Sequence, residues 1–213
     1  MSALSEEEIR ASSIRKYRLR ATGYDQTCGP TWPIRSRAID GLSLQPGDRV
    51  LDVGCGTGLS LPLIREKVGE GGRVYGFDQS PDMLAYAHRR VVEANWKNVA
   101  VFECSAQSLR LPEAVDAFLF HYTHDILRSP TAIAQLLSWA RPGARVAIAG
   151  IKYFPAWLAP LNLWVYLKNY GYNGAPGDLR SPWDLIEPYL TEFQRQPTQW
   201  GMGYLGFGRI KPC

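Results

Sequence analysis

The chain has 213 residues and a mass of 23.9 kDa, which suits one domain because single α/β domains routinely exceed 150 residues. Its composition, 46% hydrophobic and 21% charged residues, is that of an ordinary globular protein and excludes a disordered chain, a collagen and a coiled-coil rod. The net charge of +4 comes from 24 basic and 20 acidic residues that are scattered along the chain, so obligate nucleic-acid binding is not indicated.

The N-terminal segment predicts a helix with a basic surface. Ser5 and Glu8 form the pattern Ser-x-x-Glu, a capping box that can begin a helix running to about residue 19. Five basic residues between positions 10 and 20 form either a solvated face or an attraction for an anionic substrate or membrane surface. The acidic residues at 6–8 have the wrong charge for a secretory signal, and no apolar stretch follows them, so we expect a cytoplasmic protein.

Two further patterns limit the class of protein. The longest uncharged apolar stretch, between Lys152 and Lys168, has roughly fifteen residues and contains prolines, whereas ~20 residues are needed to cross a bilayer. The four cysteines are far apart and form no C-x-x-C pair, so neither a zinc site nor a disulfide framework is indicated, and no metal is expected.

From residue 49 onward, short apolar runs alternate with stretches of helical character. The runs predict strands at 49–53, 73–77, 99–102, 117–120 and 145–149, with helices at about 59–68, 81–94 and 130–140. The last two helices open with Ser-Pro, which suits an N-cap followed by proline in the first turn. This alternation predicts an α/β fold with a doubly wound, mostly parallel sheet.

The composition changes after Gly150. By count, 13 of the 25 aromatic residues lie in the last 63 positions. We expect a helix near 155–169, a loop at 171–177, a short helix after residue 182, and strands near 193–198 and 203–210. The aromatic side chains can line an apolar pocket, rest on a membrane surface, or simply form core.

The most informative stretch is a glycine loop between a strand and a helix. Residues 50–58 read Val-Leu-Asp-Val-Gly-Cys-Gly-Thr-Gly, and glycine lets the backbone approach a nucleotide-like ligand closely while the helix start offers free amides. Leu59 occupies the position at which the dinucleotide fingerprint requires glycine, which disfavours nicotinamide or flavin binding. Asp78 follows the next strand, 24 residues beyond Gly54, where a carboxylate can accept hydrogen bonds from both ribose hydroxyls.

Through residues 50–58 and 76–84, the sequence resembles the class I S-adenosylmethionine-dependent methyltransferases. Through the segment Tyr24-Asp25 and its small size, it resembles in particular the branch that acts on ubiquinone-type and lipid-headgroup small molecules. The resemblance runs from about residue 17 to Gly150. It implies a Rossmann-like, seven-stranded sheet, S-adenosylmethionine as methyl donor with S-adenosylhomocysteine as product, and a helical lid at the N-terminus. On this basis we predict one domain over 1–213, with a lid at 1–45, a cofactor-binding core at 46–150 and an aromatic-rich substrate side at 151–213.

The resemblance also implies roles for individual residues. Asp52 and the glycines would hold the methionine part of the donor, Asp78 the ribose, and Met83 would pack against the adenine. The residues assigned to this cofactor site are Asp52, Gly54, Cys55, Gly56, Gly58, Asp78, Gln79, Met83, Ser105, Ala106 and His121. Ser105 and Ala106 stand where many members have an aspartate that meets the adenine amine. Tyr24 would sit over the cofactor as part of the lid.

The loop after the fourth strand offers the best candidates for chemistry. Methyl transfer from a sulfonium is an in-line displacement that needs a general base only for a protonated acceptor. His121 or His124 can take a proton near neutral pH, with Asp125 orienting an imidazole. Alternatively, one histidine packs beneath the cofactor while Asp125 caps the next helix. As a metal pair the two histidines lack a third ligand.

The acceptor class follows less directly from the sequence. Residues 120–123 read Phe-His-Tyr-Thr and differ from the Asn/Asp-Pro-Pro-aromatic pattern of methyltransferases that act on nucleobase amines. We therefore expect a small hydrophobic or amphipathic acceptor, with an aromatic natural product as the competing class, and no nucleic acid. A noncatalytic protein that binds S-adenosylmethionine remains an alternative. Arg35 or Arg37 can meet a carboxylate of the cofactor or substrate, and membrane contact and oligomeric state stay open.

Overall fold

The fold is organised around a seven-stranded sheet. The structure, a computed structural model, describes residues 24–154, 156–169 and 179–212. The strands are β1 (Arg49–Val53), β2 (Arg73–Asp78), β3 (Val99–Glu103), β4 (Val115–His121), β5 (Ala140–Ile151), β6 (Leu190–Thr198) and β7 (Gly203–Ile210). Their order in the sheet is β3-β2-β1-β4-β5-β7-β6. The first five strands are parallel, and β7 runs antiparallel to both β5 and β6.

Helices connect the strands and cover the sheet. They are α1 (Tyr24–Thr27), α2 (Trp32–Gly41), α3 (Leu61–Val68), α4 (Pro81–Glu93), α5 (His124–Leu127), α6 (Pro130–Leu137) and α7 (Ala159–Asn169), with short 3-10 helices at Gly29–Thr31, Ala106–Ser108, Ala156–Leu158, Glu187–Tyr189 and Gln199–Gly201. The Ser-Pro prediction is confirmed at both helices. Ser80 Oγ accepts from the amide of Met83 at 3.4 Å, and Ser129 Oγ accepts from the amide of Ala132 at 3.2 Å.

The two faces of the sheet are both buried. Phe118 and Phe120 belong to a core with Leu136 of α6, whereas Leu119 belongs to the opposite core with Ile39 of α2. Because both faces lack water, the strand sequences are continuously apolar rather than alternating. The predicted doubly wound, mostly parallel seven-stranded sheet is confirmed.

The strand order places the glycine loop where it can meet a ligand. β1 pairs with β2 on one side and with β4 on the other, with Val53 opposite Phe77 and opposite Phe120. The strand order therefore reverses at β1, and the crevice at the carboxyl ends of β1 and β4 is where open α/β sheets bind ligands.

Several predicted boundaries differ from the structure. The helix predicted to reach residue 140 ends at Leu137, because the carbonyl of Trp139 accepts from the amide of Val115 at 2.8 Å and Ala140 already pairs with Val115 as the start of β5. A turn and a 3-10 helix replace the short helix predicted after residue 182, since the chain enters β6 at Leu190.

Other predictions fall outside the described residues. The capping box at 5–8, its basic helix and the loop at 171–177 are among them, so the division of the chain at residues 45 and 150 stays a prediction. No helix in the described ranges combines the length and the apolar character that crossing a membrane would require.

Candidate functional site

The glycine loop turns sharply at the end of β1. Gly54, Gly56 and Gly58 all have positive φ, at 61°, 56° and 77°, a conformation that other residues rarely adopt. A Cβ on Gly54 would come within 2.8 Å of Thr123 Cγ2, so this glycine lets the β4 loop pack closely. A Cβ on Gly56 would meet no heavy atom within 4 Å. The backbone at Gly56 therefore faces open space that a ligand can occupy.

A small cleft that is open to solvent lies beside this loop. It is lined by Arg35 of α2, Asp52 of β1, the loop residues Gly54, Cys55, Gly56, Thr57 and Leu59, and His121 of β4. The cleft thus unites several residues that the sequence assigned to one site. It also contains Arg35, the buried member of the two arginines considered.

Asp52 and Arg35 carry buried polar atoms that have no partner among the residues that the structure describes. Asp52 is 2% exposed, and its Oδ2 has no hydrogen-bond partner within the described structure. Burial raises the pKa of Asp52 to about 7, against the lowering effect of Arg35 and with a further rise from Asp78. Arg35 is also buried; its Nη1 donates to Ser60 Oγ, but its Nε has no partner in the part described. Buried groups with unused hydrogen-bonding capacity are typical of a ligand site.

Asp78 is tied to the glycine loop. Its Oδ2 accepts from the amide of Gly56 at 3.0 Å and its Oδ1 accepts from the amide of Ser80 at 2.9 Å. Burial raises the pKa of Asp78, while the hydrogen bonds from Ser80, Gly56 and Gln79 act against that rise. A carboxylate has about four acceptor positions, so capacity remains for a hydroxyl donor. The loop and Asp78 therefore form one unit, as their pairing in the sequence predicted.

The residues assigned to the adenine do not line the cleft. Met83 is 1% exposed in the first turn of α4. Ser105 Oγ lies 3.0 Å from Ser108 Oγ within the 3-10 helix that follows β3, and Ala106 is buried in a hydrophobic core. Their proposed contacts with the adenine stay predictions.

His121 ends β4 and faces the cleft. It is 9% exposed, and its Nε2 has no partner among the described residues. Burial, then Arg35 and His124, hold the pKa of His121 well below its usual 6.5. Its ring centroid lies 4.8 Å from that of Tyr122. At neutral pH His121 is therefore uncharged, and its surroundings disfavour the protonated form.

His124 has a different environment. Its Nε2 accepts from the amide of Ile151 at 3.4 Å, and a Cβ on Gly150 would come within 2.5 Å of its Cε1. Burial, followed by Arg128, lowers the pKa of His124 to about 4. The structure packs His124 against β5 and does not bring it to the lining of the cleft.

The segment before the sheet is fastened to the glycine loop by Asp25. Asp25 Oδ1 accepts from Thr57 Oγ1 at 2.6 Å, and Asp25 Oδ2 pairs with Arg90 Nη2. Arg90 Nε in turn donates to the carbonyl of Thr57 at 2.9 Å. Tyr24, the residue before Asp25, is the one that the resemblance assigns to the lid. It begins α1, and its side chain lies outside the described part of the structure. The acidic residue directly after Tyr24 was the feature of the sequence from which the contact with the glycine loop could have been predicted.

Two further residues, Arg37 and Tyr122, have hydrogen-bond partners on β6 and in the turn after it. Arg37 is exposed, and its Nη2 donates to Gln196 Oε1 at 3.0 Å on β6, away from the cleft. Tyr122 has a φ of 60°, and its hydroxyl reaches Gln199 Oε1 at 3.5 Å. Gln199 could not be predicted as a partner of Tyr122 because the two residues are 77 positions apart in the chain. No group of metal-ligating side chains of the required size occurs among the residues that the structure describes.

Comparison with known proteins gives this site a context. The family described as “Methyltransferase domain” matches residues 50–143, which include the glycine loop, Asp78 and His121. The 2-phytyl-1,4-naphtoquinone methyltransferase of Thermosynechococcus vestitus is 27% identical over 195 residues, which is 83% of this chain and 80% of that protein. The protein-L-isoaspartate O-methyltransferase of Aeropyrum pernix is 29% identical over 126 residues, or 59% of this chain and 47% of that protein.

Solved structures agree on the fold. A SAM dependent methyltransferase from Aquifex aeolicus has a TM-score of 0.62 and 22% identity, with 89% of this chain and 98% of that chain covered. The chain spans about half the length of several of the curated relatives it matches.

Proposed function

We propose that this protein methylates a small hydrophobic or amphipathic acceptor with S-adenosylmethionine as donor, because residues 50–143 match a methyltransferase domain and the fold is similar to that of a SAM dependent methyltransferase. The observation that carries the proposal is the cleft beside Gly56. There, Asp52 and Arg35 are buried with unused polar atoms, next to a backbone that leaves space for a ligand.

The residues of the cleft fit S-adenosylmethionine. When ionised, the carboxylate of Asp52 suits an ammonium group, and the guanidinium of Arg35 suits a carboxylate, so together they complement the amino-acid part of the donor. Asp78 retains acceptor capacity for ribose hydroxyls at the end of β2. When bound, S-adenosylmethionine supplies a methyl group on a positively charged sulfur. The chain's own contribution is then to align the acceptor with that methyl group.

His121 is the strongest candidate for moving a proton. It faces the cleft, and its Nε2 is unpartnered within the described residues, so an acceptor can reach it. Its lowered pKa leaves it uncharged at neutral pH and makes it a weak base. His124 ranks behind it because the amide of Ile151 occupies its Nε2. Tyr24 stays a proposed contact of the lid, on the strength of the resemblance alone. An acceptor that carries no proton would need alignment only.

The acceptor class rests on the relatives and on the aromatic side of the chain. A relative that covers most of this chain is named for a naphthoquinone that carries a phytyl chain, which is an apolar small molecule. A protein substrate appears in the name of a relative that shares a shorter segment. An aromatic natural product is the competing acceptor class, and binding of S-adenosylmethionine without turnover is the competing noncatalytic function.

The test uses the purified chain, methyl-labelled S-adenosylmethionine and an extract of lipids and metabolites. After reaction, the products are divided between organic and aqueous phases. Label in the organic phase that depends on the protein supports the proposal, whereas label only in the aqueous phase overturns the acceptor class. No label, together with measurable binding of S-adenosylhomocysteine, favours the noncatalytic function. Asp78→Ala serves as the variant with impaired donor binding, and Glu70→Gln, at an exposed carboxylate, is its matched control.

A further inference from the structure

Helix α7 and the turn between β6 and β7 expose large apolar side chains at one edge of the sheet. We call this surface the apolar rim and define it by Trp157, Leu161, Leu163, Leu167 and Trp200. Leu163 is 60% exposed, Leu167 is 64% exposed, and Trp200 is 100% exposed. Folded monomers rarely leave so many large apolar groups in water without an interaction that covers them.

The orientation of α7 is fixed from its other side. Val165 is fully buried, and Asn162 holds the backbone of Phe154 by two hydrogen bonds. Its Oδ1 accepts from the amide of Phe154 at 2.7 Å, and its Nδ2 donates to the carbonyl of Phe154 at 3.0 Å. These contacts set the rotation of the helix, so the leucines at 163 and 167 face outward as a consequence of the fold.

The turn that carries Trp200 lies against the same segment. A Cβ on Gly201 would lie 3.4 Å from the ring of Phe154, so the turn and the start of α7 are neighbours. Trp200 has a φ of 59°, and the turn projects its side chain fully into solvent. The turn with Trp200 therefore lies beside Phe154, the residue whose backbone Asn162 of α7 holds.

The charge around the rim favours a negatively charged partner. No aspartate or glutamate occurs from residue 126 to residue 177, and within this stretch Lys152 precedes α7 and Lys168 is in its last turn. Tryptophan with leucine on an exposed helix and lysine at its borders is the composition of proteins that bind to the surface of a bilayer. Anionic lipid headgroups complement the lysines, and the acyl boundary accommodates the apolar side chains.

The rim also lies at the edge of the sheet that holds the cleft. Ile151, at the carboxyl end of β5, pairs with Gly203 at the start of β7, and His121 pairs with Ala149 on the same strand. We propose that the apolar rim docks this protein on the surface of an anionic lipid bilayer, which delivers an apolar acceptor directly to the site. The delivery of the acceptor rests on the proposed function, but the docking itself does not.

Co-sedimentation of the full chain with vesicles tests the docking. The vesicles are phosphatidylcholine alone and phosphatidylcholine mixed with phosphatidylglycerol. We expect binding to the mixed vesicles that weakens as salt rises, and a loss of roughly tenfold or more in the partition constant for the double variant Leu163→Gln/Leu167→Gln. Val92→Gln, at a 76% exposed apolar residue on α4, is the matched control and should bind as the unaltered protein does.

Each other outcome overturns the docking. One is no binding of the unaltered protein to mixed vesicles, and another is equal binding by the double variant. A third is a concentration-dependent dimer, seen by sedimentation velocity, that the same double variant abolishes in the absence of vesicle binding, because that result assigns the rim to a second copy. Binding of S-adenosylhomocysteine, measured in parallel, separates the two proposals. Its absence refutes the proposed function, while vesicle binding still decides the docking.

Discussion

Replacing Asp52 by asparagine is expected to stabilise the free protein at alkaline pH although it removes a proposed ligand contact. Asp52 is 2% exposed, and burial raises its pKa from 3.8 to about 7. Between these two values the folded protein keeps a proton that the unfolded chain has released. Stability therefore falls as pH rises through this window, by about 1.4 kcal/mol for each pH unit. Asparagine is nearly isosteric and has no such penalty.

The size of this stability difference depends on how much of the pH range between the unfolded and folded pKa values of Asp52 is covered by the experiment. Between pH 5 and pH 8, the penalty on Asp52 grows only from pH 5 to its folded pKa of about 7. Two pH units correspond to about 2.7 kcal/mol, so the advantage of Asp52→Asn should be larger at pH 8 than at pH 5 by roughly 2–3 kcal/mol. The pKa values of His121 and His124 are lowered in the folded protein, so the stability that they contribute is lost in the opposite direction, as pH falls below 6.5. Their contributions are common to both proteins and cancel in the comparison.

Urea unfolding at pH 5 and pH 8 measures this difference. Glu70→Gln removes one negative charge from an exposed position and controls for the change in net charge. If Asp52→Asn gives the same change in unfolding free energy at both pH values, or destabilises more at pH 8, then burial does not hold a proton on Asp52 and the reasoning is refuted. Titration with S-adenosylhomocysteine at pH 8 should show weaker binding by the same variant, because the carboxylate proposed to hold the ammonium is gone.

Three more predictions concern the residues around the cleft. Asp78→Ala should weaken binding of S-adenosylhomocysteine by about 1–3 kcal/mol in calorimetry, and unchanged affinity would remove its ribose role. If His121 takes the proton of the acceptor, His121→Gln should lower turnover by ~100-fold or more. His124→Gln should act mainly on thermal stability. Full activity in both variants would leave alignment alone as the mechanism. Asp25→Ala releases the glycine loop and should weaken binding of S-adenosylhomocysteine by about 1 kcal/mol. Asp40→Ala, which removes a carboxylate ion-paired with a lysine on another helix, is the control and should leave the affinity unchanged. Equal effects of the two variants would contradict a specific role for Asp25.

Features of the site that depend on local spacing could be predicted from the order of residues. The glycine loop, the carboxylate of Asp78 and the position of His121 at a strand end follow from the order of apolar runs and turn residues. Parallel strands bring their carboxyl ends to one edge, so residues after successive strands meet there wherever the chain alternates between strand and helix. For the same reason the doubly wound sheet could be predicted, although the end of α6 and the start of β6 could not.

Which of two similar candidate residues faces the cleft depends on the folded arrangement and could not be predicted from the sequence. Arg35 and Arg37 are two residues apart on α2, yet one is buried in the cleft and the other pairs with β6. His121 and His124 also differ, because His121 ends β4 beside the cleft whereas the turn that follows packs His124 against β5. Burial and partners come from chain segments far away in sequence, and local patterns contain no information about them.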